Sequence, residues 1–227
     1  MQEKRFLVFG DIHGEWKKFW SLWQKVQPDL AQDELVFLGD YIDRGPDAPS
    51  VLTFLHELAT HANVHLLRGN HEQMLLDAYA GGGDVAGNED WDIWQGNGGD
   101  ATVAQCRSRG QDARDYQAFC ASLGLYYQAD IAGQPYFFCH AGVDPERPLT
   151  QQDPLDLIWI RDPYINGYHG TTTVVTGHTP TLFIAGEYSF FRPIIRAHQI
   201  FLDTGSYIPH GRVTCIDLYT QHVWQGL

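Results

Sequence analysis

Five short loops of the sequence concentrate residue types that could bind metal ions and move protons. Each loop follows an apolar run that is typical of a buried strand. The loops and their polar residues are GDIHG with Asp11 and His13, GDYIDRG with Asp40, Asp43 and Arg44, GNHE with Asn70, His71 and Glu72, FCHAG with His140, and GHTP with His178. Hard oxygen ligands mixed with imidazoles suit a pair of divalent first-row metal ions.

The elements around these loops indicate how the residues could meet. Strand, loop and helix repeat three times within the first eighty residues, which is typical of a layered α/β fold with parallel strands. The predicted strands cover 5–10, 34–39 and 63–69, and the predicted helices 15–26, 48–61 and 71–80. Because the carboxyl ends of such strands line one crevice, the loops that follow them can converge there.

The rhythm breaks at 81–99, a stretch rich in glycine and tryptophan that has no clean periodicity. It predicts a cap or lid loop rather than a linker. Its tryptophans favour packing, with substrate contact as the alternative. Helical sequence follows around 113–123. The second half predicts strands at 125–132, 134–140, 173–177, 198–205 and 212–219, interrupted by a helix-rich stretch near 153–164.

Taken in order, the five loops resemble the signature blocks of the metallophosphoesterases, specifically their phosphoprotein phosphatase branch. The short length and the segment IWIR are similar to the bacterial and phage lambda-type protein phosphatases. The resemblance covers about 10–205 and is loose at the cap. It implies an α/β calcineurin-like sandwich of two mixed β-sheets flanked by helices. We expect a single domain, 1–227, with a cap-like insertion at about 81–123.

The resemblance also implies a dinuclear metal site. Manganese is the usual activator in the family, and iron or zinc would fit the same ligands. Two metals that share a carboxylate can activate a water for direct in-line attack on phosphorus. The first metal would be held by Asp11 and His13, both metals would be bridged by Asp40, and the second would be completed by Asn70, His140 and His178.

Four further residues match positions that act on the phosphate or its leaving group. By resemblance, His71 protonates the leaving alcohol and Asp43 orients it. Arg44 and, in the segment LIWIRDP, Arg161 would clamp phosphate oxygens with their planar forks of donors. Glu72 could act in catalysis, but we expect a structural role in the first turn of a helix.

Two histidines compete for the last ligand position. The segment IRAHQ around His198 resembles the eukaryotic phosphatase block, whereas GHTP around His178 matches the lambda-type version. His198 precedes its strand instead of following one, so its side chain should lie at the wrong end of the sheet. We therefore assign the ligand to His178.

The predicted function is a metal-dependent phosphomonoesterase acting on phosphoserine or phosphothreonine in proteins, with phosphotyrosine and small phosphoesters also open. The alternative is a dinucleoside polyphosphate hydrolase, which commonly departs at the DRG aspartate and has GNHD, whereas this chain keeps Asp43 and Glu72. Nuclease relatives usually carry GHxH, whereas Pro180 occupies that position here. A catalytically inactive interaction module is disfavoured because every ligand and the acid are present.

The composition of the chain argues against some classes of binding partner. A formal charge of −13 argues against a general binder of nucleic-acid polymers, so positive charge at the site would come from metals and a few arginines. No apolar run is long enough for a membrane helix, and the N-terminus is too short for a signal peptide. We therefore expect a cytoplasmic protein without a membrane partner, and reduced cysteines.

Overall fold

The structure, a computed structural model, describes residues 4–227. The strands are β1 Phe6–Phe9, β2 Glu34–Phe37, β3 Val64–Leu66, β4 Tyr126–Ile131, β5 Gln134–Cys139, β6 Thr173–Thr176, β7 Ile194–Ile195, β8 Gln199–Phe201, β9 Val213–Asp217 and β10 Val223–Gly226. The helices are α1 Trp16–Val26, α2 Ala48–Leu58, α3 Asn70–Ala80, α4 Glu89–Trp94, α5 Asp100–Ser108, α6 Gln117–Ser122, α7 Pro154–Trp159, α8 Asp162–Gly167 and α9 Thr181–Ala185. Short irregular helical segments lie at Gln95–Gly99, Ala113–Tyr116 and Leu149–Gln151.

The first sheet has the strand order β10-β9-β1-β2-β3. Strand β2 pairs in parallel with β1 on one side and β3 on the other, as the repeated strand–helix rhythm predicts. Strands β9 and β10 complete the sheet with antiparallel pairings. Because β1, β2 and β3 are parallel to one another, the loops that follow them all leave the same end of this sheet.

The second sheet has the order β4-β5-β6-β8-β7. Its three central strands β5, β6 and β8 are parallel, whereas β4 and β7 are antiparallel at the edges. The loops after β5 and β6, which carry the FCHAG and GHTP sequences, therefore also leave the same end of their sheet. Both sheets are mixed and flanked by helices, so the predicted fold class is confirmed.

Side-chain alternation along the strands builds four layers. In β1, Leu7 and Phe9 face the cluster that buries helices α1, α2 and α3, whereas Phe6 and Val8 face the interior between the sheets. On the outer face of the second sheet, Phe137 joins a third cluster with helices α7 and α8. Each fully buried large apolar side chain contributes about 1.5–3 kcal/mol. The sandwich is therefore a rigid support for the loops at its edge.

Residues 81–88 form turns, whereas 89–99 are helical, which corrects the prediction of a loop for that part of 81–99. Asn88 caps the start of α4, since its side chain accepts the backbone N–H of Trp91 at 3.3 Å. An irregular turn follows and bends at Gly98, where φ is 105°. Periodicity failed here because α4 has only six residues, too few to repeat an apolar face. The status of 81–123 as a cap-like insertion stays a prediction.

The cysteines and the helix lengths bear on two expectations drawn from the composition. All four cysteines are buried free thiols, as expected for a reduced protein. None of the helices within residues 4–227 has the length and apolar character that a transmembrane span requires.

Candidate metal centre

The carboxylate of Asp40, in the loop after β2, lies at the centre of the convergent loops. Its Oδ1 is 3.3 Å from His140 Nε2, and its Oδ2 is 3.5 Å from His13 Nε2 and 3.9 Å from His71 Nε2. All four side chains are almost completely buried. Loops from both sheets therefore bring imidazole nitrogens to opposite oxygens of one buried carboxylate.

Backbone carbonyl groups set the orientation of three of the predicted ligand histidines. One ring nitrogen of each lies against a carbonyl oxygen: His13 Nδ1 against Ile42 O at 3.0 Å, His140 Nδ1 against Leu38 O at 2.9 Å, and His178 Nε2 against Trp159 O at 3.3 Å. A carbonyl oxygen can only accept, so that nitrogen carries the proton. The opposite nitrogen faces the centre and has a free lone pair when the ring is neutral, as in histidines that bind metals.

Asn70, the first residue of α3, brings an amide oxygen into the same space. Its Oδ1 lies 3.0 Å from His140 Nε2 and 2.9 Å from His178 Nδ1. When both imidazoles are neutral, with their other nitrogen donating to a carbonyl, all three of these atoms are acceptors. Acceptors at this separation repel one another unless a cation or a proton lies among them. The set of donor atoms therefore fits a bound cation.

Buried negative charge leads to the same requirement. Burial, followed by the nearby carboxylates of Asp203 and Asp40, raises the pKa of Asp11 well above its usual value. Burial also tends to raise the pKa of Asp40, but the charges of His140 and His71 outweigh it and hold that pKa well below the usual range. Several carboxylates thus share one buried region, where nearby positive charge or protonation must balance them. The residues present fit a pair of divalent cations.

Asp11 is placed differently from the other predicted ligands. Its carboxylate accepts the backbone N–H of His178 at 3.0 and 3.2 Å. Gly177 permits this approach, since a Cβ there would collide with Asp11 Oδ1. The two compact groups of potential ligands are His13 with Asp40 and His71, and Asp40 with His140 and His178. Asp11 adjoins the second group through the backbone of His178 and belongs to neither.

His71 and Asp43 form a buried hydrogen-bonded pair beside these groups. His71 Nδ1 donates to Asp43 Oδ2 at 2.7 Å, while its Nε2 faces Asp40. Asp43 also accepts the indole N–H of Trp94 at 2.9 Å and the hydroxyl of Thr102 at 2.6 Å. The pair thus has one nitrogen fixed by a carboxylate and one directed at the centre, the arrangement of an oriented acid or base.

Two arginines lie at the margins of the centre. Arg44 Nη1 is 2.9 Å from His13 Nε2, and its guanidinium lies 4.4 Å from the centre of the Tyr207 ring. Arg161 Nη1 donates to the backbone oxygen of His178 at 3.3 Å. Both arginines are exposed, whereas the neighbouring His13 and His178 are buried. Their guanidinium groups can therefore meet an anion that enters from solvent.

Five non-glycine residues of the site have a left-handed backbone. The φ values are 47° at His13, 54° at Asp40, 69° at Asp43, 67° at Arg44 and 65° at His178. Such conformations cost of order 1–3 kcal/mol each and persist only where surrounding contacts enforce them. The chain accepts this strain at the loops that direct polar side chains toward one point.

Glu72 has the structural position that the sequence favours. It lies in the first turn of α3, and its carboxylate accepts backbone N–H groups of Gly69 and Asp40 at 2.9 Å and of Tyr41 at 2.8 Å. Burial and the charge of Asp40 raise its pKa to about 7. Glu72 thus fastens the start of α3 to the strained loop after β2.

The choice between His178 and His198 agrees with strand direction. Strands β6 and β8 are parallel, with Val174 paired to Gln199. His198 directly precedes β8, whereas His178 follows β6, so the two histidines lie at opposite ends of the sheet. His178 joins the compact group around Asp40, and His198 does not.

Two residues of the site, Tyr207 and Asp203, were not among those predicted from the sequence. Tyr207 packs edge-on against His13 at 4.9 Å between ring centroids, besides lying under Arg44. Asp203 is buried in the loop after β8, and its pKa is raised to about 6 by burial and by Asp40. Asp203 could have been found, because it follows a buried strand just as the recognised ligands do. Tyr207 has no such positional signal.

The comparisons with known proteins agree with this geometry. Residues 4–211 match the family described as calcineurin-like phosphoesterase, and this match covers most of the 227 residues. The chain therefore belongs to the calcineurin-like phosphoesterase family. The family predicted from the loop sequences is confirmed.

Individual relatives carry two different functional names. The chain is 32% identical over 179 residues to serine/threonine-protein phosphatase 1 of Salmonella typhimurium, covering 76% of this chain and 77% of that protein. It is 25% identical over 243 residues to the asymmetrical bis(5'-nucleosyl)-tetraphosphatase of Bacillus cereus, covering 93% and 89%. A solved structure provisionally named a diadenosine tetraphosphatase superposes with a TM-score of 0.70 at 19% identity, covering 99% and 94%. That last likeness shows the fold alone.

The shifted pKa of Asp203 leads to a stability prediction for protein stripped of metal by a chelator. The folded state holds the Asp203 proton to about pH 6, whereas the unfolded chain releases it near the ordinary value of 3.8. Wild-type stability should therefore fall as the pH rises through this window. Asp203→Asn should be more stable above pH 6, by on the order of 3 kcal/mol, and equal to wild type below pH 4.

Urea unfolding between pH 3.5 and 7.5 measures this difference. The exposed Asp84, whose side chain is 69% accessible, supplies the control variant Asp84→Asn, for which we expect no pH-dependent change. A metal-free Asp203→Asn protein that is less stable than wild type at pH 7 would contradict the prediction.

Proposed function

We propose that this protein is a metal-dependent phosphomonoesterase that hydrolyses phosphoserine or phosphothreonine in proteins, with phosphotyrosine also accepted. The observation that carries the proposal is the buried His71–Asp43 pair beside a cluster of metal-ligand atoms, with two arginines at its margin. The likeness to a serine/threonine-protein phosphatase at 32% identity supports this substrate class. We further propose a cytoplasmic location, and no nucleic-acid polymer or membrane as a partner.

The proposed metal ligands are six residues of the loops that follow the strands. They would hold two divalent cations, of which we propose manganese first, with iron or zinc compatible with the same atoms. The ligands are Asp11, His13, Asp40, Asn70, His140 and His178. When bound, the cations would supply Lewis acidity toward phosphoryl oxygens and activate a water for in-line attack.

The two arginines would bind and orient the phosphate group. Arg44 and Arg161 approach the centre from the sides of His13 and His178 respectively. Their guanidinium groups offer forked donors that match the spacing of phosphate oxygens. Both are exposed, so their contribution lies in positioning the substrate rather than in stabilising the fold.

His71 would act as the general acid. Its Nδ1–H is held by Asp43, so a proton on Nε2 faces the centre and can pass to the oxygen of the departing serine or threonine. Alkoxide leaving groups are strongly basic, and a positioned acid accelerates their departure by typically 10²–10⁴-fold. No phosphorylated enzyme intermediate is required for this scheme.

A dinucleoside polyphosphate hydrolase is the second candidate. It is favoured by the likeness to the bis(5'-nucleosyl)-tetraphosphatase of Bacillus cereus, which spans 93% of the chain. Against it stand the 32% identity to the protein phosphatase, compared with 25% to the Bacillus cereus hydrolase, and the presence of Asp43 and Glu72 in blocks where such hydrolases commonly differ. The phosphatase is therefore the primary proposal.

A substrate panel with added manganese tests the choice between these functions. We expect the ratio kcat/KM for a phosphoserine peptide to exceed that for diadenosine tetraphosphate, since two arginines and an oriented acid suit a single phosphoryl group with an alcohol leaving group. A phosphotyrosine peptide and p-nitrophenyl phosphate complete the panel. A large preference for the dinucleotide would replace the primary proposal with the second candidate.

Replacement of His71 by asparagine tests the acid assignment. His71→Asn should lower kcat on a phosphoserine peptide by at least about 100-fold, because the amide cannot transfer a proton. Metal content, measured by atomic emission after dialysis, should stay near that of wild type. Parallel losses of metal and turnover would show instead that His71 is a ligand, as its place in a compact group with His13 and Asp40 permits.

Replacement of Arg44 tests the phosphate clamp. Arg44→Ala should raise the inhibition constant of free phosphate by about tenfold or more, and Arg44→Lys should restore only part of the affinity, since lysine keeps the charge without the fork. Arg147→Ala removes an exposed arginine that pairs with Asp144 and serves as the control. The clamp assignment is wrong if Arg44→Ala binds phosphate as tightly as wild type does.

A further inference from the structure

We propose that Trp94 and Thr102 are positioning residues for proton transfer by His71. Both lie in the helical segment after α3, and both act through the carboxylate of Asp43. The inference rests on the proposed function and adds to it, because it assigns to this segment a part in the chemical step. It goes beyond the packing role that the sequence favours for the tryptophans.

Hydrogen bonds fix both oxygens of the Asp43 carboxylate. Oδ2 accepts His71 Nδ1–H at 2.7 Å and the indole N–H of Trp94 at 2.9 Å. Oδ1 accepts the Thr102 hydroxyl at 2.6 Å, and the same hydroxyl oxygen accepts the backbone N–H of Asp43 at 3.0 Å. With donors on each oxygen and a closed ring to its own backbone, the carboxylate cannot rotate. The helical segment therefore sets the orientation in which the Asp43 carboxylate accepts the hydrogen bond from His71.

Burial makes these contacts strong. Asp43, Trp94 and Thr102 have no exposed surface, and His71 is 1% exposed. Water cannot replace a lost donor there without a rearrangement, and charge-assisted hydrogen bonds in such surroundings are about twice as strong as neutral ones. Truncating either donor should consequently loosen the carboxylate rather than leave it solvated in the same place.

The segment also contacts the backbone of the loop that carries Asp43. The backbone N–H of Arg44 donates to Gly98 O at 3.3 Å, and a side chain on Gly98 would meet Arg44 backbone nitrogen at 2.9 Å. Asp43 and Arg44 both have left-handed backbones, with φ of 69° and 67°. A strained conformation needs external partners to persist, and these partners come from the segment after α3.

Packing alone does not require an indole at position 94. The ring lies among Trp91 and Tyr79, at 5.5 and 5.8 Å between ring centroids, where another aromatic ring could fill the core. The hydrogen bond to Asp43 is what a phenylalanine could not supply. Trp91, on the same helix, offers the comparison, because none of the hydrogen bonds found among residues 4–227 involves its indole nitrogen.

The mechanical consequence concerns the direction of His71 Nε2. With Asp43 fixed, Nδ1–H is held and Nε2 faces the leaving oxygen. With Asp43 loosened, the imidazole samples directions from which it cannot donate, and small misplacements of a catalytic group reduce turnover strongly. The loss should appear only for substrates that need a proton on the leaving oxygen.

Leaving-group dependence tests this inference. In Trp94→Phe and Thr102→Val, kcat on a phosphoserine peptide should fall about tenfold with KM unchanged. The kcat on p-nitrophenyl phosphate should fall less than twofold, because p-nitrophenolate departs without protonation. Thr102→Ser keeps the hydroxyl and should recover most of the loss seen with Thr102→Val. The matched control Trp91→Phe should leave the ratio of the two kcat values at its wild-type value.

A double-mutant cycle separates positioning from general damage to the fold. In a His71→Asn background, Trp94→Phe should cause no additional loss, since the group it positions is gone. Equal losses on both substrates, a loss that persists in that background, or unchanged turnover in Trp94→Phe and Thr102→Val would each overturn the inference. If Trp94→Phe does not fold, the Thr102→Val and Thr102→Ser pair decides the question.

The proposed function fails in a different way. It fails if the wild-type protein with manganese hydrolyses neither the peptide nor p-nitrophenyl phosphate, and the inference falls with it. Turnover by the wild type combined with a flat response in the variants leaves the function standing and removes the inference alone.

Discussion

The structure depends on burying one carboxylate, Asp40, whose negative charge its neighbours must balance. Asp40 is 2% exposed, and its two oxygens lie 3.3 Å from His140 Nε2 and 3.5 Å from His13 Nε2. Negative charge and acceptor atoms enter an apolar interior only when positive charge balances them. Divalent cations provide that balance most compactly. The loops after the strands therefore hold the ligand atoms around a position that a cation can occupy.

Backbone groups supply most of the support for this arrangement. Carbonyl oxygens of Ile42, Leu38 and Trp159 fix the tautomers of three histidines, and backbone N–H groups fix the carboxylate of Glu72. Such contacts depend on the path of the chain rather than on side-chain rotamers. Strands such as β1 and β9, which are buried on both faces, hold that path rigid, so the energy gained in the core can offset the left-handed conformations at the loops.

The five loops were predictable from sequence because each of them follows a strand whose apolar run is visible. Asp11, Asp40 and His178 share this signal, and Asp203 carries it as well. Helices α4 and α5 gave no such signal, because α4 spans six residues and an irregular turn joins the two. Tyr207 reaches Arg44 and His13 from a loop of the last quarter of the chain, and only tertiary contact reveals it. Position after a strand is encoded locally, whereas support from a distant segment is not.

The two parts of the proposed chemistry come from different parts of the fold. The candidate metal ligands extend from the edge of the sandwich, whereas the partners of Asp43, namely Trp94 and Thr102, come from the helices after α3. A change in those helices can consequently alter the direction of His71 without moving a ligand around Asp40. Relatives that differ in this segment could keep the same metal centre while favouring leaving groups of different basicity. Selection among phosphoesters would then depend on how firmly one buried carboxylate is held.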